Sequence, residues 1–250
     1  MRRILEVCVD SVESALAAKA GGADRLELCA NLVIGGTTPS PALLRAVKRE
    51  TDLPVHALLR PRFGDFLYTE HEWAVLLEDA AALLDAGADA LVSGVLTPEG
   101  ELDPLRVKQA VSLAHEYRKK FTLHRAFDVC RDPLAALRKC EELGVDTILT
   151  SGQAGNCLAG LPVLKTLFDA RERVELMIGA GVDAAAIKAI RAQLPEAACF
   201  HMSGKTVLES GMRYRKQGVN MGLPSMSEYE LWRTDAEKIK LAREELDREL

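Results

Sequence analysis

Long apolar runs are missing from this 250-residue chain, and so is any excess of positive charge: 32 Lys and Arg face 37 Asp and Glu, a formal net charge of −5. The first absence excludes a bilayer-spanning helix, which needs about 20 consecutive apolar residues. The second removes any global attraction to nucleic acid or anionic lipid, so neither a nucleic-acid nor a membrane partner is expected. Met1-Arg2-Arg3 leads into a segment broken by Glu6 and Asp10, without the apolar stretch and cleavage site of a secretory signal, so the expected location is cytoplasmic. In that compartment six scattered cysteines are thiols rather than a disulfide scaffold. They contain no CxxC pair, and Cys130, Cys140, Cys157 and Cys199 form no strong zinc pattern. Ser151 lies in Thr-Ser-Gly and not in a GxSxG elbow, which removes the usual nucleophilic-serine reading. What remains is an ordinary globular composition, 48% hydrophobic and 28% charged, with enough apolar residues to build a core.

Eight β-rich runs recur at a mean spacing of about 28 residues, each followed by an Ala/Leu-rich amphipathic stretch. They are Arg3–Val9, Asp24–Cys29, Pro54–Arg60, Asp89–Gly94, Lys120–Ala126, Asp146–Ser151, Val174–Gly179 and Ala198–Ser203. This alternation specifies an α/β fold, a single (β/α)8 TIM-type barrel over 1–204. Three echoes, Gly22-Ala23-Asp24, Gly87-Ala88-Asp89 and Gly144-Val145-Asp146, precede runs two, four and six. Residues 205–250 read as a C-terminal extension packing on the barrel within the same domain. In it, Ser227-Glu228-Tyr229-Glu230 predicts a capping box that opens a helix reaching Leu250. The long segments Ala30–Pro41 and Pro61–His71 follow runs two and three, at the end of the barrel where sites are built.

Period-two alternation sends Leu5, Val7, Val9, Leu26, Leu28, Phe200 and Met202 toward the helices. It leaves Ile4, Glu6, Cys8, Arg25, Glu27, Cys29, Thr122, His124, His201 and Ser203 toward the axis, with Arg60 at the upper rim. Barrel interiors are normally Val, Ile and Leu, so this many ionisable groups needs a reason. One reason is a self-satisfied network of buried pairs. The other is a site in which Glu6 or Glu27 exchanges protons, His124 and His201 polarise a substrate, and Arg60 holds one carboxylate ionised. That reading gives a lyase or isomerase acting on a small anionic or phosphorylated metabolite. The loops after runs seven and eight, Gly179-Ala180-Gly181 and Ser203-Gly204-Lys205, offer amides and a cation for such an anion, with Thr150-Ser151-Gly152 beside them, and Arg60 would hold it together with the Gly179–Gly181 loop. Two metal readings stand next to it. Cys8 and Cys29 on adjacent strands suit Cu(I), although nearby Glu6 and Glu27 would raise the thiol pKa and residue chemistry alone favours buried, inert cysteines. Glu6, Glu27, His124 and His201 suit a hard or borderline divalent ion, with no tight ligand spacing to mark it. A non-catalytic scaffold that recruits a protein through an apolar patch near Trp232 is a further reading.

Several ordered motifs then carry a resemblance. Leu5-Glu6-Val7-Cys8-Val9-Asp10-Ser11, Gly22-Ala23-Asp24-Arg25-Leu26-Glu27-Leu28-Cys29, Thr37-Thr38-Pro39-Ser40, Arg60-Pro61-Arg62-Phe63-Gly64-Asp65-Phe66, His124-Arg125-Ala126-Phe127-Asp128 and Leu149-Thr150-Ser151-Gly152 resemble the CutC family over about 1 to 222. The resemblance implies a TIM-type barrel that self-associates as a homo-oligomer. It implies a role in copper homeostasis, with Cu(I) binding at Cys8 and Cys29. It also implies a shared charged rim, carried here by Glu6, Arg25, Glu27, Arg60, Arg62, Asp65, His124, Arg125, Asp128 and His201. Phe63, Thr38 and the residue after Ser203 depart from the family pattern, all in rim loops.

Overall fold

β1 (Ile4–Val9), β2 (Arg25–Leu28), β3 (Val55–Leu58), β4 (Ala90–Ser93), β5 (Lys120–Leu123), β6 (Thr147–Thr150), β7 (Glu175–Ile178) and β8 (Cys199–Met202) form a closed barrel in chain order, every neighbouring pair parallel. The structure is a computed structural model that describes residues 3–216, 218–219, 221 and 227–249. The eight expected strands are all present. Seven helices follow the first seven: α1 (Val12–Ala20), α2 (Pro41–Thr51), α3 (Glu70–Asp85), α4 (Pro104–Glu116), α5 (Pro133–Leu143), α6 (Leu161–Ala170) and α7 (Ala184–Arg191). Their starts are written locally: Ser11, Ser40, Thr69, Asp103, Asp132 and Asp183 each accept a first-turn N–H with the side chain, which satisfies donors the helix leaves open.

The three Gly-x-Asp echoes do one job three times. Gly22, Gly87 and Gly144 all have φ between 83° and 99°, the left-handed turn that glycine adopts without strain. The aspartate that follows turns its carboxylate back onto the preceding strand. Asp24 accepts from Leu5 N at 2.8 Å, Asp89 from Val55 N at 2.9 Å and Asp146 from Phe121 N at 2.8 Å. A cation or imidazole meets each one, namely Arg243, Lys48 and His115. These stitches lie where the strands begin, the end of a barrel that serves stability.

The main core lies between strands and helices and contains Leu5, Val7, Val9, Leu26, Leu28, Phe200 and Met202, which is the outward set that alternation assigned. Inside the barrel, Ile4, Leu149, Met177 and Cys199 pack together, and Cys29, Leu58 and Val92 form a separate apolar patch. Polar side chains occupy the space between.

The C-terminal segment corrects two expectations. Ser227 does not open a helix: its hydroxyl accepts only from Tyr229 N among the described residues, and Glu230–Thr234 is a strand, β10, paired antiparallel with β9 (Lys205–Glu209). The helix, α8 (Ala236–Asp247), starts two residues after the last residue of that strand and is capped by Asp235; Leu250 lies outside the described residues. α8 packs between α7 and α1, with Ile239, Ala242 and Leu246 fully buried. It is therefore the eighth barrel helix, and β9 and β10 form a ribbon inserted between β8 and its helix. Trp232 sits on that ribbon under the Lys205 ammonium, 3.6 Å from the ring centre.

Candidate functional site

Glu6 is the centre of the interior. It is completely buried, and the register of β1 sets it beside Arg25 of β2 and His201 of β8. Arg25 Nε donates to Glu6 Oε2 at 2.6 Å, and His201 Nδ1 donates to Oε1 at 2.8 Å. His56 of β3 brings its Nδ1 to 3.2 Å from Oε2, but off the line a hydrogen bond needs, so that nitrogen has no partner among the described residues. Burial alone would raise the Glu6 pKa. Arg25 and the two histidines outweigh it and hold the carboxyl well below the usual range. Arg25 also reaches Met177 Sδ at 3.3 Å and Cys199 Sγ at 3.4 Å, which fixes its guanidinium beneath the carboxylate.

Glu27 has the opposite environment. Its β2 position lies across from Cys8 and His56, and its Oε2 is buried with no hydrogen-bond partner among the described residues. Burial, with the Glu6 charge nearby, pushes its pKa up to about 7 against the partial opposition of His201 and Arg25. His201 is raised well above the ordinary imidazole value: burial works against the charged ring, but Cys8, Glu27 and the bond to Glu6 prevail. One ligand-type atom from each of Glu6, Glu27 and His201 lies within 4.8 Å of the other two.

Cys8 and Cys29 are both buried free thiols. Cys29 donates to Val9 O at 3.5 Å. Burial first, then Cys8 and Glu27, push its pKa well above the free-thiol value, so the resting group is a thiol.

The rim corrects the sequence reading. Among the described residues Arg60 holds no carboxylate. Its guanidinium donates to the carbonyls of Gly35, Gly36 and Gly64 and lies 5.2 Å from the centre of the Phe66 ring, so it pins together the two long loops after β2 and β3. The counter-ion of the interior carboxylate is Arg25. His124 likewise stands apart from the Glu6, Glu27 and His201 group. Its Nδ1 accepts from Ala126 N at 3.1 Å, so the neutral ring carries its hydrogen on Nε2, which is buried without an acceptor among the described residues. Burial and Arg60 lower its pKa to about 3. Gly94 makes room for the ring, since a Cβ there would stand 2.6 Å from Nδ1.

The other rim residues are drawn into loop contacts. Arg62 pairs with Asp65 and Glu72. Asp128 accepts from Thr150 Oγ1, the Ser151 amide and hydroxyl, and Arg125 Nε, so Arg125, Asp128 and Ser151 form one clamp across the ends of β5 and β6. The Gly179 amide is used in the β6–β7 ladder, and Ala180 O accepts from Cys157 N. Gly181 has φ of 71° and faces Asn156. Ser203 O accepts from Thr234 Oγ1, and Lys205, the cation of that loop, is engaged by Trp232. Of the anion donors that the sequence suggested, the Ser151, Gly152 and Gly179 amides and the Lys205 ammonium are thus engaged within the protein.

His56 was not among the sequence candidates, although it shares the period-two face that places Arg60. Isolated in an apolar run, it carries no motif of its own.

Residues 3–206 match the model of the CutC family. A human protein named copper homeostasis protein cutC homolog is 42% identical over 239 residues, covering 95% of this chain and 86% of that one. A family protein CutC from Parabacteroides distasonis is 40% identical over 243 residues, covering 96% of this chain and 99% of its own. A solved CutC structure from Streptococcus agalactiae has a TM-score of 0.74 at 27% identity, covering 80% of this chain and 98% of that chain.

Proposed function

The chain belongs to the CutC family, and from that membership we propose that it serves copper homeostasis in the cytosol by binding Cu(I) through Cys8 and Cys29. The observation that carries this reading is a pair of sulfurs turned into the barrel from adjacent strands, Cys8 close enough to raise the Cys29 pKa. Two thiolates suit a soft monovalent ion better than any oxygen set does. The relatives' names, copper homeostasis protein among them, point the same way. Because Cys29 rests as a thiol, Cu(I) uptake expels its proton and affinity rises with pH. Anaerobic titration against a chromophoric Cu(I) chelator tests this. The wild type takes one equivalent, and the Cys8→Ser, Cys29→Ser double variant loses at least tenfold in affinity. Equal affinities overturn the proposal.

A second reading, an acid/base enzyme for a small anionic metabolite, is favoured by one observation: Glu6 and Glu27 are near neighbours in unequal environments, the first charge-paired and the second not. Carboxylates held at different proton affinities are the usual means of running proton transfer at neutral pH. Glu27 would move the proton and His201, held by Glu6, would steady the developing charge. The assay is deuterium uptake at acidic C–H positions of a panel of small carboxylates and sugar phosphates, read by NMR. Exchange above the buffer rate that falls at least 100-fold in Glu27→Gln supports it; exchange no faster than buffer across the panel ends it.

A further inference from the structure

We infer that the barrel interior holds a second metal site, separate from the two thiols, in which Glu6, Glu27, His56 and His201 bind a divalent first-row transition ion.

The argument begins with spacing. Atoms that share a tetrahedral ion at bonds of about 2.1 Å sit about 3.4 Å from one another. His56 Nδ1 stands 3.2 Å from Glu6 Oε2 in a geometry that makes no hydrogen bond, and that separation also suits two ligands of one ion. Glu6, Glu27 and His201 already bring ligand atoms within 4.8 Å of one another, and His56 would join them from its place beside Glu6. Among the described residues this is the one such group of three.

Unmet valence is the second observation. Two buried polar atoms in this cluster, Glu27 Oε2 and His56 Nδ1, lack any hydrogen-bond partner among the described residues, on residues only 7% and 8% exposed. Leaving such an atom unpaired is costly in an interior that excludes water, and two on facing positions of the β2–β3 ladder mark a place where something else belongs. A self-satisfied network, the bland alternative for a polar barrel, would not leave them.

Charge and support complete the case. Two carboxylates face the guanidinium of Arg25 and the imidazole of His201, and an ion bound by His201 would replace that ring's proton as the second positive charge. Arg25 does not need to be displaced. With its Nε on Glu6 Oε2 and its Nη2 against Met177 and Cys199, it orients the central ligand from outside, as outer partners do in metal sites. Two carboxylates with two imidazoles select borderline ions such as Zn2+, Co2+ or Mn2+ over Cu(I), which prefers sulfur.

Zn2+ calorimetry and Co2+ absorption spectroscopy on the full chain test the inference. The wild type is expected to bind one equivalent of either ion, with a Co2+ spectrum free of thiolate charge transfer. Glu27→Gln and, as a second variant, His56→Asn each weaken Zn2+ at least tenfold, while the Cys8→Ser, Cys29→Ser variant binds it as the wild type does. No stoichiometric Zn2+ or Co2+ binding, unchanged affinity in a folded Glu27→Gln or His56→Asn protein, or a thiolate band that disappears with the cysteines would each overturn it. Because the cysteine variant is also the Cu(I) control, loss of one metal without the other tells the two sites apart.

Discussion

Glu6→Gln is expected to cost about 3–5 kcal/mol of folding stability at neutral pH, the usual result of removing one member of a buried ion pair. The amide keeps the shape and most of the hydrogen-bonding capacity of the carboxylate, but it leaves Arg25 and His201 charged in an interior where their counter-ion is fully buried. The pH dependence follows from a carboxyl pKa held below its usual value. A depressed carboxylate stabilises the fold above its unfolded pKa of about 4.5, and that stabilisation is lost as pH falls through the lower folded value. The gap between wild type and variant is therefore full at pH 7 and narrows below about pH 4. Guanidinium unfolding followed by circular dichroism at both pH values measures it. A neutral-pH difference below about 1 kcal/mol would mean that Arg25 finds solvent or another anion and that the pair is not the keystone of the interior.

Glu27→Gln should do the reverse at alkaline pH. The Glu27 pKa is raised to about 7, so the folded protein holds a proton that the unfolded chain releases near pH 4.5. A raised carboxyl contributes stability below its unfolded pKa and loses it as pH climbs through the folded value. At about 1.4 kcal/mol per pH unit, the window between about 4.5 and about 7 amounts to about 3 kcal/mol. Gln carries no such penalty. The variant should match the wild type near pH 4 and exceed it by about 3 kcal/mol at pH 8, in urea unfolding without added metal. The raised His201 pKa adds a loss of the same sign in the wild type as pH rises. A variant no more stable than wild type at pH 8 would place Glu27 in contact with water or a cation that relieves its charge.

The two predictions draw on residues that the sequence had already put in the interior, yet their opposite signs were not readable there. Alternation along β1 and β2 turned Glu6, Cys8, Arg25, Glu27 and Cys29 inward because the strand period is local and the outward partners are uniformly apolar. Which cation would meet which carboxylate depends on the register between strands, and that register sets Glu6 opposite Arg25 while Arg60, one strand further and above, turns to loop carbonyls. His56 was overlooked for the same reason: its significance comes from Glu27 across the β2–β3 ladder, not from its neighbours in the chain. The Ser227 capping box failed because a four-residue helix-start signal competes poorly with an antiparallel ladder to β9 that lies about twenty residues away and is invisible to local reading.

Strand count, facing and the Gly-x-Asp turns come from the chain alone, since each is set by interactions within a few residues or by a hydrophobic period. The identity of each buried partner, the separation of His124 from the carboxylate cluster and the assignment of α8 as the eighth barrel helix were decided by closure of the barrel. Closure fixes the heights at which side chains from distant strands meet, and in an interior that excludes water a shift of one residue exchanges a paired charge for an orphan.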